Sequence, residues 1–502
     1  MSEKVKEKAR TVTAGLFALS RLLQASPSHS ASRSILERKP SSIVIVAVVG
    51  FIISIVSLSS VYIGEDLSQL GSAEFFLENT VPPMYWIGLI LLASPILLVT
   101  QLRDDRRIPR YVLLISILLM TCMRAILPVT ISKPYVTDVR TYISWMEAWL
   151  REGIQLAPAY LTKEELLYYY PNTHPVSFIL SYSFLKMGLP IDFFFKWAPF
   201  GIYAVDLYLV YLVSKEINGG HAELAALSAF LAALSSMAQV FTLWYSPHLL
   251  GSALFLLCLY LVLRMAETKG RRMRMLILWA TTSIGILLLI LTHALSTVYF
   301  VATLSGLFLV EWVLKVVRIG GRVPRISALW PMYTVIGWYV CSTVLYRPKV
   351  EEWVIGVYNA LKGNLISGEY HAVTFTNFFG MGLIDQISFI IYPSLVLGLA
   401  MYGLMQTKGR KLADPVIVKT LGLISLLSAL FVFGLAESGL TYPLRVIELT
   451  SILCCPLAAK ALSELLSSDR SKIVKLCVGV GILAVVLLST HWMFRGIQKL
   501  IY

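Results

Sequence analysis

Charge is scarce in this sequence. Only 14% of its 502 residues are Asp, Glu, Lys or Arg, against roughly 25% in soluble globular chains. With 57% apolar residues and a mean hydropathy of +0.73, that scarcity excludes a soluble domain and marks a polytopic membrane protein. Acidic residues are the scarcer sign, 29 against 43 Lys and Arg, for a net charge of +14. In a soluble chain such an excess would suggest nucleic acid. Here the cations fall in short clusters between apolar runs, as the positive-inside rule expects, and no nucleic-acid partner is implied.

Other absences narrow the field further. Polar loops hold no cysteine: Cys122, Cys258, Cys341, Cys454, Cys455 and Cys477 all lie in apolar segments. A disulfide framework is therefore not expected, and the six read as small buried hydrophobes. Neither a G-x-G-x-x-G nor a P-loop is present, which argues against a nucleotide-sugar or ATP site. No H-E-x-x-H or comparable spacing occurs, so a zinc site is not expected. No repeat of five or six spans is apparent.

What the sequence does have is long apolar runs. A helix needs roughly 20 apolar residues to cross the hydrocarbon core. By that measure about thirteen spans are expected, near 42–63, 84–102, 111–131, 193–214, 222–242, 246–264, 275–292, 294–315, 327–346, 386–405, 415–435, 442–463 and 473–493. The fold class expected is all-α, a transmembrane helix bundle. Residues 1–40 are basic and Ser-rich and lack the features of a cleaved signal peptide; they read as a cytoplasmic tail, partly disordered or lying on anionic lipid. With that end inside, the basic stretches "RDDRRIPR" (103–110), "RMAETKGRRMR" (264–274), "KVVRIGGRVPR" (315–325), "KGRK" (408–411) and "DRSKIVK" (469–475) all fall inside too. The opposite side receives "GEDLSQLGSAEFFLENT" (64–80), which carries four carboxylates and no Lys or Arg. It also receives two longer segments, 132–192 and 347–385, the places with room for a catalytic surface.

Segment 132–192 has internal order. Val139, Tyr142, Ile143, Trp145, Met146, Trp149 and Leu150 recur at helical spacing, and Asp138, Arg140, Ser144, Glu147 and Arg151 lie largely opposite. That pattern predicts an amphipathic interfacial helix, too polar to span, with its aromatics at the lipid boundary. Pro171 and Pro175 then break the chain before a short apolar helix, better suited to a re-entrant or interfacial position than to a crossing.

Several residues here and later are candidates for chemistry. Asp138 heads the interfacial helix, where a carboxylate serves as an N-cap or as a base at the lipid–water boundary. Tyr168, Tyr169, Tyr170 and His174 follow; an aromatic belt is the commoner role for such a Tyr cluster. His293, in "LILTHALSTVYF", is a polar turn residue or a second cavity histidine. Arg445, in "ESGLTYPLRVIELTS", lies at the outer end of a span, where the positive-inside bias gives no reason for a cation. It either pairs with Glu448 or binds the phosphate of a lipid carrier bidentately. Arg124 and Asp206 lie inside predicted spans and are expected to face protein or water, because an ionisable group facing lipid costs several kcal/mol.

Taken in order, "TDVRTYISWMEAWLREG", "YYYPNTHPVSFILSYSFLKMGLP", "WYSPHLLGSALFLLCLYLVLR", "LTHALSTVYF" and "TYPLRVIELTSILCCPLAAKAL" resemble the GT-C superfamily of polytopic glycosyltransferases, its archaeal members in particular. The resemblance covers roughly residues 110–465. It implies an inverting enzyme of the cell membrane that moves a sugar from a polyprenyl-phosphate donor to a lipid-linked glycan or protein acceptor on the outer face. It implies Asp138 as general base and Arg445 as phosphate ligand, with Tyr170, His174, His293 and Glu448 as candidate pocket residues. No cofactor is required by this scheme, although some members of the superfamily use a divalent metal, for which Asp138, Glu147 and Asp385 are candidate ligands. Many members carry a paired acidic motif where Asp138 is followed by Val139, and the two spans in 41–110 are additional. The organisation expected is thus a tail, two extra spans, a core over 111–465 and a final helix in 466–502. A transporter or lipid flippase is the main alternative, since it too would have about a dozen spans; the placing of the polar constellation between spans rather than at the midplane favours an enzyme.

Overall fold

A computed structural model describes residues 40–61, 81–96, 107–130, 137–156, 169, 171, 174–235, 245–268, 272–316, 329–345, 383–405, 416–425, 441–467 and 471–501. By contacts the chain divides into Met1–Val46 and Ala47–Tyr502. All regular structure in the described residues is helical. In chain order the helices are α1 (Pro40–Ser59), α2 (Pro83–Ala93), α3 (Ile108–Thr130), α4 (Thr137–Glu152), α5 (Pro175–Lys186), α6 (Ile191–Ile217), α7 (Ala222–Ala233), α8 (Pro247–Glu267), α9 (Arg272–Thr292), α10 (Ala294–Val316), α11 (Leu329–Leu345), α12 (Leu383–Met405), α13 (Val416–Ser425), α14 (Thr441–Leu465) and α15 (Lys472–Ile501).

A helix lies at each of the thirteen positions expected to span. Six of the described helices, α3, α6, α8, α9, α10 and α15, contain stretches both long and apolar enough to cross a membrane, and five others carry shorter apolar stretches. The amphipathic pattern of α4 and the 12-residue length of α5 also match expectation.

The centre of the bundle is α7, whose residues Ala225–Ala233 are all buried. Half of its sequence, "AELAALSAFLAA", is alanine. Small side chains let neighbouring backbones approach, which in lipid replaces the hydrophobic drive that water would supply. Three helices, α3, α6 and α14, pack around α7, while α8 packs on α6 and carries α9 and α10 behind it. The α1–α2 crossing uses the same device: a Cβ at Gly50 would stand 2.6 Å from Leu92 N and 2.7 Å from Gly88 O. Apolar side chains exposed on α9 (Leu276, Ile277, Ile284), α11 (Ile336, Tyr339, Val340) and α15 (Ile473, Leu476, Val480) form the faces left for lipid.

Two polar links fix the direction of the central pair. Ser252 of α8 donates to Asp206 of α6 at 3.0 Å, and Arg264 of α8 pairs with Glu216 of α6 at 2.9 Å, so the two helices run the same way. At that second end Lys419 of α13 donates to the Glu216 carbonyl at 2.7 Å. Asn218, Gly219 and Gly220 end α6 there with Gly219 and Gly220 at φ of 65° and 94°, left-handed values that glycine adopts without strain.

One expectation about cysteine needs correction. All six are free, and Cys122, Cys258, Cys454 and Cys455 are buried, but Cys341 is half-buried and Cys477 is exposed. Cys477 lies on α15 beside the exposed Leu476 and Val480; a thiol is apolar enough to stand on a lipid face.

Candidate functional site

The first part of the site is built by α4 and α5. Along α4, Val139, Tyr142, Met146 and Trp149 are buried while Arg140, Ser144, Glu147 and Arg151 are exposed. The buried face meets protein: Tyr142 is edge-on to Phe178 of α5 at 5.6 Å, and Trp149 is edge-on to Tyr182 at 6.1 Å. Trp149 Nε1 donates to the Tyr169 hydroxyl at 2.8 Å, and that hydroxyl donates to the Gln155 carbonyl at 3.0 Å. The aromatics expected at a lipid boundary are thus held by α5 and Tyr169, because burying a ring with its polar tip satisfied serves better than leaving it at a surface. Asp138 is the second residue of α4, placed where a carboxylate complements the helix dipole; its side chain lies outside the described residues.

Next to the start of α5, three histidines converge. His174 precedes α5 and is 6% exposed; His293 separates α9 from α10 and is 8% exposed. Their rings lie 5.5 Å apart, and His248, in the first turn of α8, lies 5.0 Å from His293. The ring of His293 is fixed by its own helix: Nδ1 accepts from the Ser296 backbone N–H at 3.2 Å and contacts Ser296 Oγ at 2.8 Å. This is an N-cap made by histidine, and an Nδ1 that accepts from an amide places the ring proton on Nε2. Ser246 caps α8 similarly, accepting from Leu249 N at 3.4 Å. Gly251 permits the contact between these elements, since a Cβ there would stand 2.6 Å from His293 Cβ and 2.8 Å from Ser296 Oγ.

Tyr245 pins the histidine end to α5 and α6. Its hydroxyl donates to the Ser177 carbonyl at 2.9 Å, and its amide donates to the Phe195 carbonyl at 3.2 Å. Ser177 Oγ in turn reaches the carbonyls of His174 (3.2 Å) and Thr292 (3.5 Å). Burial pushes the Tyr245 phenol well above its ordinary range, so it remains a neutral donor.

From His248 the site continues inward to a cavity of about 70 Å³ bordered by Arg124 of α3, Tyr203 and Asp206 of α6, Ser252 of α8, and Leu449 and Ile452 of α14. Arg124 is 4% exposed, with its guanidinium 3.7 Å from the Tyr203 ring centroid and Nη1 3.3 Å from Met120 Sδ. The expectation that Arg124 and Asp206 face protein is met. Stacking on an aromatic face holds a buried guanidinium in place. Arg445 stands on α14 one turn before Leu449 and two before Ile452, positions that share one helical stripe. The side chains of Arg445 and Glu448, like Tyr170 and residues 347–382, lie outside the described residues. Among the described residues no cluster of three or more His, Cys, Asp or Glu has the arrangement of a metal site.

Sequence reasoning singled out His174 and His293 but passed over His248, Tyr203, Ser252 and Ser296. The available signal was "YSPHLLGS", in which Ser246 and Pro247 announce a helix start and set His248 in its first turn.

A helical bundle with an amphipathic α4 and short α5 inserted after α3, and a polar site between them and the later helices, is the GT-C fold. The similarity is concrete: the crystal structure of the Archaeoglobus fulgidus oligosaccharyltransferase tethered to an acceptor peptide containing the NVT sequon matches at a TM-score of 0.50 and 12% identity over 78% of this chain. The archaeal oligosaccharyltransferase AglB from Archaeoglobus fulgidus in complex with an inhibitory peptide and a dolichol-phosphate matches at 0.50 and 11% over the same share. The chain spans about 55% of the length of these neighbours. No protein-family profile and no curated protein sequence matches it.

Proposed function

We propose that this protein is an inverting GT-C glycosyltransferase that moves a sugar from a polyprenyl-phosphate carrier to a lipid-linked glycan or protein acceptor at the outer membrane face. The observation that carries the reading is the polar site within this fold, where His174, His248 and His293 meet beside the cavity that α3, α6, α8 and α14 border. That dolichol-phosphate is bound by a neighbour of the same fold supports a carrier of this chemistry.

In this mechanism Asp138 takes the proton of the acceptor hydroxyl as its oxygen attacks the anomeric carbon. The bond from that carbon to the carrier phosphate breaks, and its electron pair leaves with the polyprenyl phosphate. Arg445 meets the charge that develops there, a stabilisation that grows toward the transition state. A single displacement of this kind inverts the anomeric centre. His174, His293, Tyr170 and Glu448 shape the pocket in which the acceptor hydroxyl is held. The scheme requires no metal or other cofactor.

The test is reconstitution of the purified protein in sealed vesicles containing a radiolabelled polyprenyl-phosphate sugar, followed by separation of carrier-bound label from label on other molecules. The reading expects label to move from the carrier to acceptor molecules. Label that stays on the carrier while changing leaflet would identify a flippase instead.

A further inference from the structure

Each of the three clustered histidines stands at the N-terminus of a different helix. His174 precedes Pro175 at the head of α5, His248 follows Pro247 in the first turn of α8, and His293 caps α10. With ring separations of 5.5 and 5.0 Å, three helix starts are gathered in one small region, each equivalent to roughly half a positive charge. The first amide to reach a backbone acceptor of its own helix is that of Phe178 in α5 and that of Thr297 in α10. The N–H groups of Val176, Ser177, Ala294 and Leu295 come before these and are directed out of the helix ends. Helix α9 ends at the same place, but its carbonyls are engaged: Leu289 accepts from the His293 amide at 3.0 Å and Thr292 from Ser177 Oγ at 3.5 Å.

The rings add donors to this field. His174 and His293 are both more than nine-tenths buried. The cap that His293 makes through Nδ1 leaves its proton on Nε2, so the other nitrogen of that ring donates. A metal ion needs a lone pair there; an anionic oxygen needs the proton. His248 and Ser296 also border the cavity of about 70 Å³, the volume of about two waters at ~30 Å³ each, or of one phosphate or carboxylate group. The formal charges of the cavity balance, Asp206 against Arg124, so helix starts and ring N–H groups set the sign of the potential at its histidine end. We infer that His174, His248 and His293 form an oxyanion site, in which imidazole N–H groups and the starts of α5, α8 and α10 hold a phosphate or carboxylate of a substrate. Its assignment to a substrate rests on the glycosyltransferase reading: the anion is the carrier phosphate of the donor or an acidic group on the acceptor glycan. In either case the histidines hold charge and leave the proton to Asp138.

The test is saturation-transfer NMR on full-length protein in phosphatidylcholine nanodiscs, with methyl phosphate and glucuronate as probes, glucose as the neutral control and empty nanodiscs as the blank. Anion signals displaced by inorganic phosphate are expected, and none from glucose. His248→Leu removes a ring donor and should weaken anion binding at least about tenfold, the loss of one hydrogen bond to a charged group. His248→Gln keeps an N–H and should restore most of that binding, while His221→Leu, at the Glu216 end of α6, should bind as the unaltered protein does. Thermal unfolding shows which variants fold; should His248→Leu not, the pair His174→Leu and His174→Gln gives the same comparison. Equal anion binding by the Leu variant and the unaltered protein would overturn the inference, as would glucose saturated like the anions. Zinc that raises Tm only when His248 is present, with phosphate leaving Tm unmoved, would overturn it in favour of a metal site. Farnesyl monophosphate then identifies the source. If it displaces glucuronate the anion is the donor phosphate, and if the two bind together it is an acidic group of the acceptor. Farnesyl phosphate binding that ignores Arg445→Ala would remove the donor reading and leave the oxyanion site standing.

Discussion

His293 and Gly251 touch across the junction of α8 with the α9–α10 turn, leaving no room for even one added carbon. Gly251→Ala should therefore push the His293 turn away from α8, at a cost of about 1–3 kcal/mol typical of overpacking a well-filled contact. A lowered Tm in differential scanning fluorimetry checks this. Unchanged stability would mean that the histidine cluster is more loosely packed than described.

The cap on α10 is separable from any chemistry of the imidazole. His293→Asn retains an oxygen able to accept from the Ser296 amide, whereas His293→Ala does not, and loss of an N-cap typically costs about 0.5–2 kcal/mol. Denaturation should rank the unaltered protein and Asn variant together, above Ala. If catalysis also uses the ring, both variants should lose transfer activity despite that difference in stability.

Trp149 and Tyr169 hold α4 in place through a bond between two buried polar tips, 2.8 Å long. Trp149→Phe removes the indole donor while the Tyr169 hydroxyl still donates to the Gln155 carbonyl, so the expected cost is about 0.5–1.5 kcal/mol, that of one hydrogen bond. Hydrogen exchange should quicken over residues 137–152 in this variant and stay unaltered in α7.

Much of the fold was legible from hydropathy, because in lipid a span must be both apolar and helical to satisfy its backbone. Length, period and the Pro171 and Pro175 breaks sufficed to place α4 and α5 as non-spanning helices. The site was legible only in pieces. His174 and His293 stood out as polar residues near span ends, yet nothing in local sequence could show that their rings lie 5.5 Å apart, since that contact is set by α5 packing on α8 and α9. His248 was passed over because Ser246-Pro247 reads as a helix start and hides the residue behind it. The aromatics of α4 suggested lipid because an amphipathic stripe carries no sign of which apolar medium it will meet.

Two links at the Glu216 end of α6 can be compared. Arg264 is partly exposed but its partner Glu216 is buried, so Arg264→Met takes the cation from a buried carboxylate and should cost about 1–3 kcal/mol. Lys419 is buried with its ammonium on the Glu216 carbonyl, and Lys419→Ala should cost about 1.5–3 kcal/mol, the range for charge-assisted hydrogen bonds. Thermal unfolding of the two variants gives the comparison.

The central claim rests on one carboxylate at the head of α4. In the vesicle assay with polyprenyl-phosphate sugar, Asp138→Asn should bind donor as the unaltered protein does while transfer falls by about 10²–10⁴, the usual contribution of a general base. Transfer within a few-fold of the unaltered protein would contradict the account and leave Asp138 as a residue of the helix terminus alone.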